Sequence, residues 1–359
     1  MDLSNIDRNF KIETNIGEED VVFYDVRRAP FAVYGLYDYK NQPDFKRCPD
    51  EVAHGTSTGV AYLYLNTAGG RVRFATDSRY IAIKAEMPSI AHMNHMPLTG
   101  SSAFDLYVDD PETQSTAFNH AFRPDYNITD GYESKKDFGT RKMRYVTINF
   151  PSYSHVKNLY IGLQQDARVE EGMPYRDQLP VVYYGSSITQ GGCSSRPGNA
   201  YQNVISQRTN ADFINLGFSG NGKGEDTIVN YMATIPMSAF VSDYDHNAPT
   251  PEHLLATHYK LYEAIRRAYP DIPYVMCSRP NFNAYSQGDI DRRNIIMDSY
   301  RKARERGDKN VYFVDGESMF RGPYANMCTV DGCHPNDMGF ALMADAIGYE
   351  LALAFCKKA

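Results

Sequence analysis

The spacing of apolar residues changes once along the chain, and the change divides it into two parts. Between about residue 20 and residue 165, apolar and polar side chains alternate over short runs: "VVFYDV", "GVAYLYLN", "RVRFATDS", "YIAIKAEM", "FDLYVDD", "MRYVTINF" and "NLYIGLQ". Successive side chains on an extended backbone face opposite ways, so such runs predict antiparallel strands with one buried face. "NTAGGRVRF" adds a Gly-Gly turn of the kind that joins two strands into a hairpin. This part is expected to be an antiparallel β-sandwich.

After the polar connector "DARVEEGMPYRDQLP" the runs become short and almost continuously apolar: "VVYYG" (181–185), "FINLG" (213–217), "SAFVSDY" (238–244), "PYVMCS" (273–278) and "VYFVDG" (311–316). Helical patterns separate them in "AYQNVISQRT", "PEHLLATHYKLYEAIRRAY" and "DIDRRNIIMDSYRKARER", and the chain closes on "MGFALMADAIGYELALAF". In that last segment Phe340, Met343, Ile347 and Leu351 recur at steps of three and four, which gives one apolar face. Strands that alternate with helices imply a parallel sheet covered on both sides. We therefore expect an N-terminal β domain over residues 1–170 and an α/β domain over 171–359.

Composition narrows the function classes. A chain of 359 residues, 42% apolar and 23% charged, can bury two cores. Its net charge of -7 offers no positive field for phosphate backbones, so a nucleic-acid partner is not expected. The opening "MDLSNIDRNFKIET" lacks the apolar core of a signal peptide, and no stretch reads as the roughly 20 apolar residues of a membrane span. These features predict a cytoplasmic protein without a membrane partner. Six cysteines are too few for a disulfide scaffold. Cys328 and Cys333 bracket "TVDG" beside His334, but no second ligand pair accompanies them, and no metal site is expected.

In open α/β sheets, ligands bind beyond the carboxyl ends of the strands. "GSSITQGG", "GFSGNGKG", "DYDHNAP" and "SRPNFNAY" all fall there. "TVDGCHPNDMGF" places Asp331 three residues before His334. A serine hydroxyl needs a base to become a nucleophile, and an imidazole steadied by a carboxylate suits that work near neutral pH. Ser187, His334 and Asp331 have the residue types for such a relay. The glycines at 217, 220, 222 and 224 lack the spacing of a nucleotide loop, and His92 and His95 in "HMNH" read as loop-packing residues.

On these residues the second part resembles the SGNH (GDSL-type) hydrolase superfamily, whose domain is a flavodoxin-like parallel α/β/α fold. Gly185, Ser186 and Ser187 correspond to its Gly-Asp-Ser block, "NLGFSGN" to the second, "DYDHNAP" to the third, and Asp331 to His334 to the final Asp-x-x-His. The resemblance implies Ser187 as nucleophile, His334 as base and Asp331 as its partner. It also implies an oxyanion hole of the Ser187 and Gly220 N–H groups and the Asn247 side chain. Ser186 departs from the usual aspartate, which generally supports the loop by hydrogen bonding. "GSSAFDLYVDD" is similar to the GxDLY signature of the jelly-roll-like domain that precedes one SGNH subgroup, with Ala103 in place of the leading glycine.

The family implies a serine esterase that removes a short acyl group, acetyl first, from a carbohydrate or polyol, with no metal or organic cofactor. His246, Arg279 and Tyr285 are further candidates for touching a small-molecule or oligosaccharide ester; His246 and Arg279 could equally brace their loops. The chain has 28 tyrosines and no tryptophan, so any aromatic platform for a sugar would be tyrosine. Two other readings stay open: an acyltransferase that uses the same acyl-enzyme, and a binding protein disabled at Ser186. The role of the β domain and the oligomeric state are left open.

Overall fold

The computed structural model describes residues 14–176 and 179–356. The opening stretch 1–13, on which the reading of the N-terminus rests, and residues 177–178 of the connector lie outside the described residues. The chain forms two compact units. Among the described residues, the first comprises 14–47, 65–175 and Arg196–Gly198; the second comprises Cys48–Tyr64, 176, 179–195 and 199–356. The packing differs from the linear division at 170/171 in three places: the first unit runs on to Tyr175, and residues 48–64 and 196–198 pack with the other part of the chain.

Among its described residues the first unit contains ten strands: β1 (Val21–Asp25), β2 (Ala32–Tyr34), β3 (Arg71–Thr76), β4 (Tyr80–Glu86), β5 (Phe104–Asp110), β6 (Ser115–Phe122), β7 (Gly131–Asp137), β8 (Arg144–Asn149), β9 (Asn158–Gln164) and β10 (Val169–Glu171). They form one antiparallel sheet in the order β1-β9-β4-β7 and a second in the order β10-β3-β8-β5-β6, with β2 beside β3. Ile81, Ile83, Leu159 and Ile161 of the first sheet share a core with Val72, Phe74, Leu106, Val146 and Ile148 of the second. The alternation behind this reading is real, but the polar face is not always wet. Arg71 and Arg73 of β3 are buried, donating to Tyr175 Oη and Met173 O, with the Arg73 guanidinium 3.6 Å from the Tyr175 ring centroid.

One expected strand is a helix. "GVAYLYLN" falls largely in the helix Thr58–Leu63, whose N-cap Ser57 accepts a hydrogen bond from Val60 N. A serine cap and a run too short to show its period favour this outcome, and the hairpin expected across Gly69–Gly70 is accordingly absent. β6 and β7 went unrecognised because "STAFNHAF" and "GYESKKD" bury little apolar surface.

The motif aspartate of "FDLY" has a clear task in this unit. Asp105 is fully buried and accepts hydrogen bonds from Asn149 Nδ2 at 2.8 Å and Gly198 N at 2.9 Å, with Arg196 Nε 3.4 Å away. Burial pushes its pKa up to about 6, against the pull of these three partners. The Arg196 guanidinium also lies over the Phe118 ring, 3.8 Å from its centroid.

The second unit holds β11 (Val181–Gly185), β12 (Phe213–Gly217), β13 (Ala239–Asp243), β14 (Tyr274–Cys277) and β15 (Val311–Val314). All pairings are parallel, in the order β12-β11-β13-β14-β15. The helices Tyr201–Thr209 and Asp337–Cys356 cover one face, where Tyr201, Ile205, Phe340, Met343, Ile347 and Leu351 pack on Val181, Tyr183, Val241 and Val275. On the other face the helix Pro251–Ala268 sets Tyr262 against Tyr274. One expectation needs correction: Asp337–Cys356 is long and apolar enough to cross a membrane by length and composition. Its apolar stripe is spent on this core, as the three-four spacing predicts.

Asp105→Ala is expected to remove the buried acceptor shared by Asn149 Nδ2 and Gly198 N and to cost about 2–4 kcal/mol. A lowered urea midpoint for loss of the β signal by circular dichroism checks this; an unchanged midpoint refutes it.

Candidate active site

Ser187 begins the short helix Ser187–Gln190 at the carboxyl end of β11. Ser186, the residue that departs from the family pattern, is the N-cap: its Oγ accepts from Ile188 N at 3.1 Å. The hydroxyl therefore supplies loop support by a local hydrogen bond, and Gly191 ends the helix in the left-handed region at φ 100°. The following loop is anchored to the start of the last helix, where Asp337 accepts from Ser195 N at 2.8 Å and Ser195 Oγ at 2.5 Å.

The residues Asp331 and His334 share one tight turn. Asp331 Oδ1 accepts from His334 N at 2.7 Å and Cys333 N at 3.0 Å, and Val330 N donates to His334 O at 2.9 Å. Asp331 Oδ2 lies 2.7 Å from His334 Nδ1, and His334 Nε2 lies 2.9 Å from Ser187 Oγ. With the proton held on Nδ1 by the carboxylate, Nε2 is the acceptor for the serine hydroxyl. Burial alone would raise the Asp331 pKa, but the His334 N–H, its imidazole and the Cys333 N–H outweigh it and hold the carboxyl at about 2. Asp331 is thus a carboxylate throughout the neutral range. Three residues from two loops form an unbroken hydroxyl–imidazole–carboxylate chain, which can move a proton off the serine.

Beside the end of β11, where Phe218 N donates to Gly185 O at 2.9 Å, the turn 218–222 winds around one carbonyl. Phe218 O accepts from Asn221 N at 2.8 Å, Gly222 N at 3.0 Å and Asn247 Nδ2 at 2.9 Å. Gly220 stands at the apex with φ +69° and open space where a Cβ would project. Among the described residues its N–H donates to no protein acceptor. Asn247 spends one amide hydrogen on Phe218 O and keeps a second.

The weaker candidates separate. Arg279 is a brace: its guanidinium pairs with Asp289 at 2.6 Å and lies 3.6 Å from Asp245. Tyr285 is fully exposed on the loop after β14. His246 has Nδ1 3.8 Å from Cys333 Sγ and a buried Nε2 without a hydrogen-bond partner among the described groups. Burial, then the charges of Arg279 and His334, push its pKa down to about 3, so its ring is neutral.

The structure adds Asp243, which no motif pointed to. It ends β13 opposite Gly185 and accepts from Thr189 Oγ1 at 3.1 Å and Tyr201 Oη at 3.2 Å, while Oδ1 has no hydrogen-bond partner among the described residues. Complete burial, followed by the neighbouring Asp245 charge, raises its pKa to about 8. The signal in the sequence was only a carboxylate closing an apolar strand.

The strand order, the serine after the first strand of the sheet and the Asp-x-x-His turn before the last helix together define an SGNH hydrolase. Residues 178–352 match the GDSL-like lipase/acylhydrolase family, and residues 21–169 match the GxDLY family, described as the N-terminus of SGNH-hydrolase-type esterases. The chain belongs to the SGNH esterases that carry this N-terminal domain. A GDSL-like lipase from Bacteroides ovatus has a similar structure, with 27% identity and a TM-score of 0.82 over 92% of this chain and 98% of that one. The salicylyl-acyltransferase SsfX3 of a tetracycline biosynthetic pathway shares the fold at 18% identity and a TM-score of 0.75, over 94% of this chain and 98% of its own. So does a family two carbohydrate esterase from Clostridium thermocellum, at 14% identity and a TM-score of 0.63, over 90% of this chain and 99% of its own. No curated protein matches the chain.

Because the unfolded chain ionises Asp243 near 3.8 and the folded one only near 8, rising pH drains stability between those values. Asp243→Asn is expected to remove this dependence, so that the variant gains on the parent in melting temperature from about pH 5 to about pH 9. Parallel melting curves across that range refute it.

Proposed function

We propose that the protein is a serine esterase that hydrolyses short-chain acyl esters, acetyl esters foremost, of a carbohydrate or polyol. The observation that carries this reading is the hydrogen-bonded chain from Ser187 Oγ through His334 to Asp331, at 2.9 and 2.7 Å. His334 Nε2 takes the proton as Ser187 Oγ attacks the ester carbonyl carbon, and the carbonyl electron pair moves onto oxygen. Asp331 stabilises the imidazolium that results. The oxyanion is met by the N–H groups of Ser187 and Gly220 and by the second amide hydrogen of Asn247. Such donors act on charge that exists only in the transition state, and loss of one costs roughly 10²- to 10³-fold in rate. As the tetrahedral intermediate collapses, His334 returns its proton to the leaving alcohol. A water then repeats the sequence on the acyl-enzyme and releases the acid.

The substrate class is supported by the fold shared with a carbohydrate esterase crystallised with cellohexaose. A second reading, transfer of the acyl group to another alcohol, is favoured by the likeness to a salicylyl-acyltransferase. Water access to the acyl-enzyme separates the two.

Acetate release from O-acetylated oligosaccharides should vanish in Ser187→Ala and fall about 10³- to 10⁴-fold in Asp331→Asn, where the wrong tautomer is held. Undiminished release by Ser187→Ala sinks the mechanism, and equal turnover of a palmitoyl ester sinks the short-acyl preference. Partitioning of acetyl to an added alcohol well beyond its share of the solvent would select the transferase.

A further inference from the structure

The segment Cys48–Tyr64 precedes most of the β strands in the chain yet packs within the α/β unit. Its second helix, Thr58–Leu63, is started by the Ser57 cap and held by buried Val60 and Leu63. Gly59 of that helix meets the oxyanion turn at closest quarters. A Cβ placed on it would stand 2.0 Å from Asn221 Oδ1, 2.2 Å from Asn221 Cγ and 2.5 Å from Asn221 Nδ2. The Asn221 carboxamide therefore occupies the space that any other residue would need for its own side chain. A neighbouring hydrogen bond, Thr227 Oγ1 to Gly55 O at 3.1 Å, keeps the preceding helix Asp50–Thr56 against the same region.

Asn221 is the clamp of the turn. Its backbone N–H donates to Phe218 O at 2.8 Å and its Nδ2 donates to Ser219 O at 2.8 Å, so two hydrogen bonds span Gly220, which has φ +69°. We infer that Gly59 is a positioning residue for the esterase reaction: by leaving room for the Asn221 carboxamide it holds the turn that aims the Gly220 N–H at the oxyanion. The inference rests on the reading of Gly220 as an oxyanion donor. Its physical content is steric. With a methyl group at position 59, Asn221 must rotate away and give up its bond to Ser219 O, and the turn loses the side-chain half of its clamp. Ser187, His334 and Asp331 are untouched by that rotation, so the proton relay stays intact while the oxyanion donor loosens.

The test is a double-mutant cycle on the full chain, read as steady-state kcat and KM with p-nitrophenyl acetate and as a pH–rate profile. Gly59→Ala is expected to lower kcat about tenfold or more, short of the loss of a whole donor, with KM within about twofold and the profile unshifted. Asn221→Ala should cost a similar factor, and Gly59→Ala with Asn221→Ala together should be no slower than Asn221→Ala alone, because the clash has no partner left. A Gly59→Ala kcat within about twofold of the parent, or losses that multiply in the double variant, overturns the inference. Should Gly59→Ala fail to fold, the double variant decides: recovery of fold and of the Asn221→Ala rate supports the steric account, and an unfolded double variant overturns it. Ser187→Ala in the same assay separates the two levels. If it is dead and Gly59→Ala is silent, only this inference fails; if it retains activity, the esterase mechanism fails and this inference with it.

Discussion

The site depends on how closely backbone can approach backbone at the carboxyl end of β11. A Cβ on Gly185 would stand 2.0 Å from Thr189 Oγ1 and 2.2 Å from Asp243 O, and a Cβ on Gly222 would stand 2.1 Å from Gly185 O. With no side chain at either position, the Ser187 helix, the end of β13 and the turn 218–222 can converge on one point, and Phe218 N can donate to Gly185 O at 2.9 Å. The Ser187 helix starts there, and the turn that carries Gly220 closes there. A side chain at Gly185 would separate these pieces rather than merely crowd them.

Two carboxylates near this point show how environment assigns opposite states to one functional group. Asp331 is partly exposed and receives two backbone N–H groups and an imidazole, so its charge is held down to a pKa of about 2. Asp243 is sealed in the sheet with two hydroxyl donors, and burial raises it to about 8. The first can stabilise an imidazolium; the second is a neutral hydrogen-bonding strut between Thr189 and Tyr201. Nearby, Asp245 and Asp289 are compensated by Arg279, which explains why that arginine is committed to the scaffold.

Much of the α/β unit was legible from spacing. The runs at 181–185 and 213–217 are strands residue for residue, and the stripe of Phe340, Met343, Ile347 and Leu351 is the buried face of the last helix. Parallel strands covered on both faces have to be almost wholly apolar, which is why they stood out. The β unit was less readable. Edge strands such as β6 and β7 bury too little apolar surface to leave a periodic signal, and "GVAYLYLN" was too short to tell alternation from a helical turn.

By itself the sequence determined the candidate chemistry: a serine at a strand end, an Asp-x-x-His turn and a glycine proposed as an oxyanion donor, because those functions need particular atoms that few residue types carry. Local geometry was encoded too, since the Ser186 cap and the Asp331 turn are made within a few residues. Only the tertiary structure decided what those groups rest on. Asp243 is sealed in with its pKa raised, Asp337 ties down the loop after Ser187, and Gly59 abuts Asn221 of the turn 218–222 because of neighbours far away in sequence. Burial, steric clearance and hydrogen bonding across such separations are properties of packing, and no local pattern records them.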